Sequence, residues 1–108
     1  MPPTLDELVV ADSPAAWSAL GFELDGDTCV VGGVRIRLAD AGRGLAGWSL
    51  RGVEAADLDG LATTRSERGA PEEAPAHPNG IVALDHVVAI SPDLDRTVAV
   101  LEAAGLDL

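Results

Sequence analysis

Residues 84–108, "LDHVVAISPDLDRTVAVLEAAGLDL", decide the fold because they repeat an earlier part of the chain. Residues 5–24, "LDELVVADSPAAWSALGFEL", have the same order: Leu-Asp, a Val-rich run, Ser-Pro, a helical pattern, and a glycine followed by an apolar residue. Internal repeats are typical of repeated structural units. Val-rich runs favour strands, so each copy predicts a strand followed by a helix.

The Ser-Pro pairs predict where the two helices begin. Ser13 and Ser91 are expected as N-caps, with Pro14 and Pro92 at the first helical position, where a missing N–H breaks no hydrogen bond. A glycine after each helix favours a left-handed end. In the second helix the predicted apolar face consists of Leu94, Val98, Leu101 and Ala104.

Two turn signals follow the first helix. Asp-Gly at 25–26 and Gly-Gly at 32–33 both favour hairpins, and the second lies between β-branched runs. Strand periodicity places Arg35 and Arg37 on the face opposite Ile36. Residues 45–53 predict one more strand, so residues 1–53 are expected to form a complete β-α-β-β-β module.

The rest of the chain predicts a connection and a second, incomplete module. Residues 54–61 suggest a short helix, and the polar, Pro- and Gly-rich stretch up to residue 80 suggests a linker, so 54–80 are expected to connect two units. Residues 81–108 then predict a strand (81–90), a helix and the start of another strand. The fold class is α+β. We expect the chain to be a truncated form of a longer two-module protein.

Composition excludes several classes of function. All seven basic residues are arginine, and with 18 acidic residues the formal net charge is −11. Such a charge argues against nucleic-acid binding and against docking on anionic membranes. No secretory signal or transmembrane span is visible. The only cysteine, Cys29, excludes an internal disulfide, and we expect a cytoplasmic protein.

The order of elements and the restart at "LDHVV…SPDLDRTVAVLEAAGL" resemble the vicinal-oxygen-chelate superfamily. This superfamily includes glyoxalases, extradiol dioxygenases, certain epimerases and bleomycin-resistance proteins. The likeness is strongest over 81–108 and rests on the order of elements over 5–53. The resemblance implies that β-α-β-β-β modules pack together so that their sheets form a cup, which in the enzymes contains a divalent metal.

The resemblance also implies candidate metal ligands. His86 in "LDHVV" matches the family's first-strand histidine, and Glu7 lies at the same place in the first copy. Both should then face the concave side of the sheet and could bind Zn, Ni, Mn or Fe. The last strand of the first module should supply a carboxylate or histidine, but it offers Ser49, Leu50 and Arg51. Alternatively, Glu7 is a solvated acid and His86 a hydrogen-bonded strand histidine.

Other residues are candidates for contacting a ligand in the cup. Arg35 and Arg37 could bind an anionic ligand with forked donors, or they could form the polar face of a half-buried strand. Trp48 could stack on a flat ligand or simply pack, and Arg51 lies nearby in the same strand. Cys29 is interpreted as a small hydrophobic residue of the core.

Three functions remain open from the sequence. The first is a metal-dependent lyase, isomerase or dioxygenase whose remaining ligands lie beyond residue 108. The second is a metal-free protein that binds a small molecule in the cup. The third is a non-catalytic scaffold or dimer half. The expected partners are a small-molecule ligand and a second copy that completes the partial module.

Overall fold

The computed structural model describes residues 3–40, 43–54 and 57–107. This part of the chain is α+β, as expected, and contains a six-stranded mixed sheet and two helices. The elements are β1 (Thr4–Ala11), α1 (Pro14–Ala19), β2 (Thr28–Val31), β3 (Val34–Ala39), β4 (Gly44–Arg51), β5 (Asp57–Leu58), β6 (Leu61–Ser66) and α2 (Leu94–Ala103).

The strand order is β2-β3-β1-β4-β6-β5. β1 pairs in parallel with β3 and antiparallel with β4, while β6 pairs in parallel with β4. The β2–β3 and β5–β6 pairs are antiparallel. β1 is therefore an interior strand, although it precedes every other strand along the chain.

The predicted hairpin between β2 and β3 is confirmed. Val31 pairs with Val34 across the two glycines, and Gly32 has a φ of 59°, which a glycine adopts without strain. Ile36 is buried and lies between two arginines that point to the other face of β3. The alternation of apolar and charged residues in β3 thus gives the sheet one apolar face and one charged face.

Both helices pack on the apolar face. Trp17 of α1 contacts a core cluster on β2 and β3, and Leu101 of α2 belongs to a second cluster beside β4 and β5. The strand register aligns Ile36, Leu8 and Trp48 across β3, β1 and β4, so the two clusters share one side of the sheet. No helix of the described residues covers the opposite face, which we call the helix-free face.

The prediction of a short helix and a linker is wrong for residues 57–66. They form β5, a turn and β6 instead, and β6 adds to the sheet beside β4. Asp59 and Gly60 both have positive φ, as a tight hairpin turn requires, and the β-branched residues Thr63 and Thr64 follow. Residues 55 and 56 of the predicted helix lie outside the described residues.

The strand predicted over 81–90 is wrong for this chain. These residues are described, yet they form neither strand nor helix. A β-branched sequence becomes a strand only when a neighbouring strand accepts and donates its backbone hydrogen bonds, and this stretch has no such neighbour among the described residues. Residues 106 and 107 are likewise not a strand, and Leu108 lies outside the described residues.

The start of α2 also differs from the prediction. Its N-cap is Asp93, whose carboxylate accepts from the backbone N–H of Arg96 at 3.1 Å, and not Ser91. Ser91 instead bonds the hydroxyl of Thr97 at 2.5 Å. The helix begins later than predicted, and its buried residues are Thr97 and Leu101, whereas Leu94 is 70% exposed.

The β5–β6 turn positions α2. The carboxylate of Asp59 accepts from Arg96 Nε at 2.8 Å and from the hydroxyl of Thr97. These two donors lower the pKa of Asp59, with the Thr97 hydrogen bond as the larger cause. The turn therefore fixes the first turn of α2 beside the sheet.

Candidate functional site

A β-bulge in β1 creates the centre of the helix-free face. Leu5 pairs with Leu50 and Glu7 pairs with Ser49, so Asp6 is an extra residue with no partner in β4. A bulge bends a strand and redirects its side chains. As a result two consecutive acids, Asp6 and Glu7, are both buried, at 0% and 8% exposure.

Asp6 is the acceptor for four side chains. Arg51 Nη2 and Arg68 Nη2 each donate to its carboxylate at 2.8 Å, Ser66 Oγ donates at 2.7 Å, and Arg35 Nη1 also donates. Burial by itself would raise the pKa of Asp6. The Ser66 hydroxyl and the Arg68 and Arg35 guanidinium groups outweigh it and lower the pKa below 3.8.

Glu7 extends this network along β1. It accepts from Arg37 Nε at 3.2 Å and from Arg68 Nη2 at 3.2 Å. Hydrogen bonds to Asp6 and then Glu7 raise the pKa of Arg68 further above its usual value. Because Arg68 bonds both acids, it links them into one network. We call it the Asp6 cluster, and its members are Asp6, Glu7, Arg35, Arg37, Arg51, Ser66 and Arg68.

The same arginines fix the backbone that follows β6. Arg35 donates to the carbonyl of Gly69 at 3.2 and 3.3 Å, and Arg51 donates to the carbonyl of Arg68. Arg51 also donates to the carbonyl of Leu5 at 3.2 Å. Each of these two guanidinium groups therefore bridges the buried carboxylate and backbone carbonyls. Both play a structural role.

An open groove of about 500 Å³ lies over the Asp6 cluster. Five of the seven arginines of the chain lie in it or beneath it. Four of them surround Asp6 and Glu7, an excess of two positive charges in a protein of net charge −11, and the fifth, Arg65, pairs with Glu67 and Glu54. We call this cavity the polar groove. Its lining consists of Asp6, Glu7, Thr28, Arg37, Ser49, Thr64, Arg65, Ser66, Glu67 and Arg68.

Arg37 is the arginine of the polar groove best placed to bind a ligand. Its Nε bonds Glu7, its side chain is 44% exposed, and its two terminal nitrogens have no hydrogen-bond partner among the described residues. A guanidinium fixed on one edge offers its other edge as a planar pair of donors, which matches carboxylate or phosphate oxygens.

The structure does not bring His86 and Glu7 together. Glu7 lies on the helix-free face, whereas the residues after His86 lie against Leu8 and Trp48 on the other face. The imidazole of His86 is 72% exposed, and its Nδ1 lies 2.6 Å from the carboxylate of Asp85.

A divalent metal does not fit these residues. Arginines already occupy the oxygens of Glu7 and Asp6, and the surplus of positive charge around them opposes a cation. Over residues 3–40, 43–54 and 57–107, no group of three His, Cys, Asp or Glu side chains is arranged to bind a metal ion. Arg51, at the position where the resemblance implies a ligand, instead neutralises Asp6.

Trp48 belongs to a different cavity from the arginines. It lines an apolar groove of about 390 Å³ on the helix-covered face, together with Leu8, Leu45 and residues 87–90. Its indole N–H donates to the hydroxyl of Thr63 at 2.7 Å. Trp48 therefore does not contribute to the polar groove, and its polar atom is already satisfied inside the protein.

His77, which the sequence places in a loop, is a buried structural residue. It is 6% exposed; its Nδ1 accepts from the backbone N–H of Glu23 at 2.9 Å, and its Nε2 lies 2.8 Å from the carbonyl oxygen of Val30. These partners require the neutral ring with hydrogen on Nε2. His77 thus covers part of the outer edge of β2, while the ring of Phe22 packs on it edge-on.

Sequence reasoning identified Glu7, Arg35, Arg37 and Arg51 but missed the rest of the cluster. Asp6 gave no signal, because its burial depends on the bulge. Arg68 and Ser66 lie in a stretch that looked like a solvated linker, and only the pairing of β6 with β4 brings them to β1. Cys29 is fully buried in the core, as interpreted, and burial raises the pKa of its thiol.

Comparison of the chain with protein-family models, with curated proteins and with solved structures finds no match. Within the described ranges, neither helix has the length and hydrophobicity needed to cross a lipid bilayer.

Proposed function

We propose that this protein binds a small anionic molecule in the polar groove, without a metal, in the manner of the binding proteins among the glyoxalase-like domains. The observation that supports this is the concentration of four arginines around two neutralised acids on the helix-free face. The excess positive charge attracts an anion, and the negative remainder of the chain makes this the favoured face for one.

The groove also has the donors that an anion needs. Arg37 supplies a planar pair of N–H groups. Of the four hydroxyl side chains on the walls, Ser66 and Thr28 already donate to Asp6 and Asp27, which leaves Ser49 and Thr64 to face a ligand. Its volume of about 500 Å³ falls within the range of small-molecule sites. The groove is polar and open, so the ligand is expected to be small and hydrophilic, such as a dicarboxylate or a phosphate ester.

Binding without chemistry is the function that the contacts favour over catalysis. Asp6, Glu7 and Glu67 are the acids that line the groove. Each already accepts from an arginine, so the groove offers no acid free to transfer a proton to a ligand. The glyoxalase-like resemblance suggests that the helix-free face is the cup. The positive charge of the arginines on this face suggests that its ligand is an anion.

Calorimetric titration with succinate and with inorganic phosphate tests the proposal. Arg37→Ala removes the candidate anion-binding donors, while Arg43→Ala removes the same charge from an exposed position outside the groove. We expect at least one anion to bind and Arg37→Ala to weaken it about tenfold or more, since hydrogen bonds to charged groups contribute about 1.5–3 kcal/mol.

Two results would contradict this function. One is the absence of heat with either anion at low ionic strength. The other is an equal loss of anion affinity in Arg37→Ala and Arg43→Ala, which would show that binding depends only on the net charge of the protein.

A further inference from the structure

Residues 81–90 have a composition typical of a β-strand but lack the backbone hydrogen bonds of a strand. We call them the unpaired segment. Among the described residues, no backbone group of 82–90 forms a hydrogen bond. Half of the ten residues are valine or isoleucine, which favour extended pairing. A β-branched stretch whose N–H and C=O groups are free of backbone partners can pair with a second strand.

The side chains of the unpaired segment are as exposed as its backbone. Ile90 is 96% exposed, Val82 80% and Val88 71%. Of the seven large hydrophobic residues exposed in the described part, five lie between residues 81 and 94, so apolar exposure is concentrated in one stretch of the chain. Clustered apolar exposure of this kind is typical of an interaction surface.

The sheet of the same molecule offers the unpaired segment no place. β1, which has the matching sequence, already lies between β3 and β4. At one sheet edge His77 occupies the carbonyl of Val30 in β2, and at the other edge β5 is only two residues long. A partner strand must therefore come from outside the described residues, and a second copy of the chain is the candidate argued below.

The segment is complementary to itself. Antiparallel pairing about His86 sets Val82 opposite Ile90 and Leu84 opposite Val88 of a second copy, so these apolar residues face one another. Asp85, its only charged residue apart from a protonated histidine, then lies opposite Val87 and not opposite another acid. A two-fold interface needs such a self-complementary surface.

We propose that the unpaired segment forms an antiparallel strand pair with the same segment of a second copy, centred on His86. The charge of this segment is compatible with pairing: a molecule of net charge −11 repels its copies, and a stretch of ten residues with one acid adds little to that repulsion. This interface is independent of the polar groove, which lies on the other face.

Sedimentation velocity over a concentration series tests the pairing. We expect wild type to be a dimer that dissociates on dilution, and Ile90→Asp to be a monomer throughout. Leu20→Asp is the matched control, because Leu20 is 68% exposed and lies outside the segment; it should remain a dimer. A monomeric wild type, or equal dissociation of both variants, would overturn the proposal.

Disulfide trapping tests the register. His86→Cys places two thiols opposite each other, within reach of a disulfide, and diamide should link the copies. Cys29 is fully buried and provides no competing exposed thiol. Efficient linking by Val87→Cys in place of His86→Cys would exclude the register centred on His86, and linking by Leu20→Cys at the same rate would exclude a specific pairing.

Discussion

Residues 5–11 and 84–90 share a sequence pattern, yet one is an interior strand and the other pairs with nothing among the described residues. Both begin with Leu-Asp followed by a Val-rich run. In β1 the aspartate, Asp6, is fully buried and has four side-chain donors. In the unpaired segment Asp85 is 95% exposed and contacts only its neighbour His86.

The difference shows that partners, not local preference, decide which copy becomes a strand. β1 has β3 and β4 beside it and three arginines around its aspartate. The second copy begins with the same Leu-Asp pair, but among the described residues it has neither a neighbouring strand nor an arginine paired with its aspartate. A buried charge is stable only where it is paired. Asp6 is buried where three arginines pair with it, whereas Asp85, without such partners, is exposed to solvent.

The largest expected effect comes from removing the buried carboxylate. Asp6→Asn leaves Arg35, Arg51 and Arg68 close together without their shared anion, and we expect a loss of about 3–5 kcal/mol in the free energy of unfolding. Asp85→Asn is the matched control and should change it by less than about 0.5 kcal/mol. Urea denaturation of both variants gives the comparison. Similar losses would mean that the Asp6 cluster does not stabilise the fold.

Acid should remove the advantage of the first copy. The pKa of Asp6 is lowered from 3.8 in the folded protein, so its stabilising contribution is complete above that pH and is lost as the pH falls through the lower folded-state value. We expect the unfolding free energy of wild type to drop more steeply below pH 3.8 than that of Asp6→Asn. The variant should retain a shallower slope from Asp59, whose pKa is also lowered. Parallel pH profiles from urea melts would contradict this.

An intermediate effect is expected from the two histidines. His77→Ala leaves the N–H of Glu23 and the carbonyl of Val30 without their partner, at a cost of about 1–3 kcal/mol. His86→Ala, at an exposed site, should be close to neutral in stability measured on the dilute protein. Thermal melting of the two variants tests this prediction. A larger loss of stability for His86→Ala than for His77→Ala would contradict the roles we assign to the two histidines.

The smallest effect concerns the cap of the second copy. Asp93→Ala should cost about 1 kcal/mol, as Ser13→Ala should in the first copy, because each side chain accepts from a backbone N–H of the first helical turn. Asp107→Ala, exposed beyond α2, is the control. If Asp93→Ala were neutral in chemical denaturation, the cap at residue 93 would contribute nothing.

Local signals in the sequence predicted the elements that depend on near neighbours. β1, α1 and the β2–β3 hairpin follow from Val-rich runs, Ser-Pro and Gly-Gly, whose preferences act over a few residues. β5 and β6 were missed, although Asp59-Gly60 is a turn signal, because the surrounding residues are polar and short strands give weak patterns. The segment at 81–90 was overpredicted, because its composition indicates a strand but not the presence of a partner.

The candidate site was predictable only in part for the same reason. Glu7 and the arginines of β3 and β4 could be found because they lie on the charged face of recognisable strands. Asp6 and Arg68 could not, since their contact depends on a bulge in one strand and on pairing over a long stretch of chain.

The separation between Asp6 and Arg68 also bears on the order of events in folding. They are 62 residues apart, and β6 must pair with β4 to bring them together, so we expect their contact to form late in folding. Closing so long a loop costs conformational entropy before the contact can stabilise the chain. The β2–β3 hairpin, by contrast, closes over only a few residues. The Asp6 cluster should then be absent from the folding transition state. Its ion pairs slow unfolding while leaving the folding rate nearly unchanged, and so prolong the lifetime of the native state.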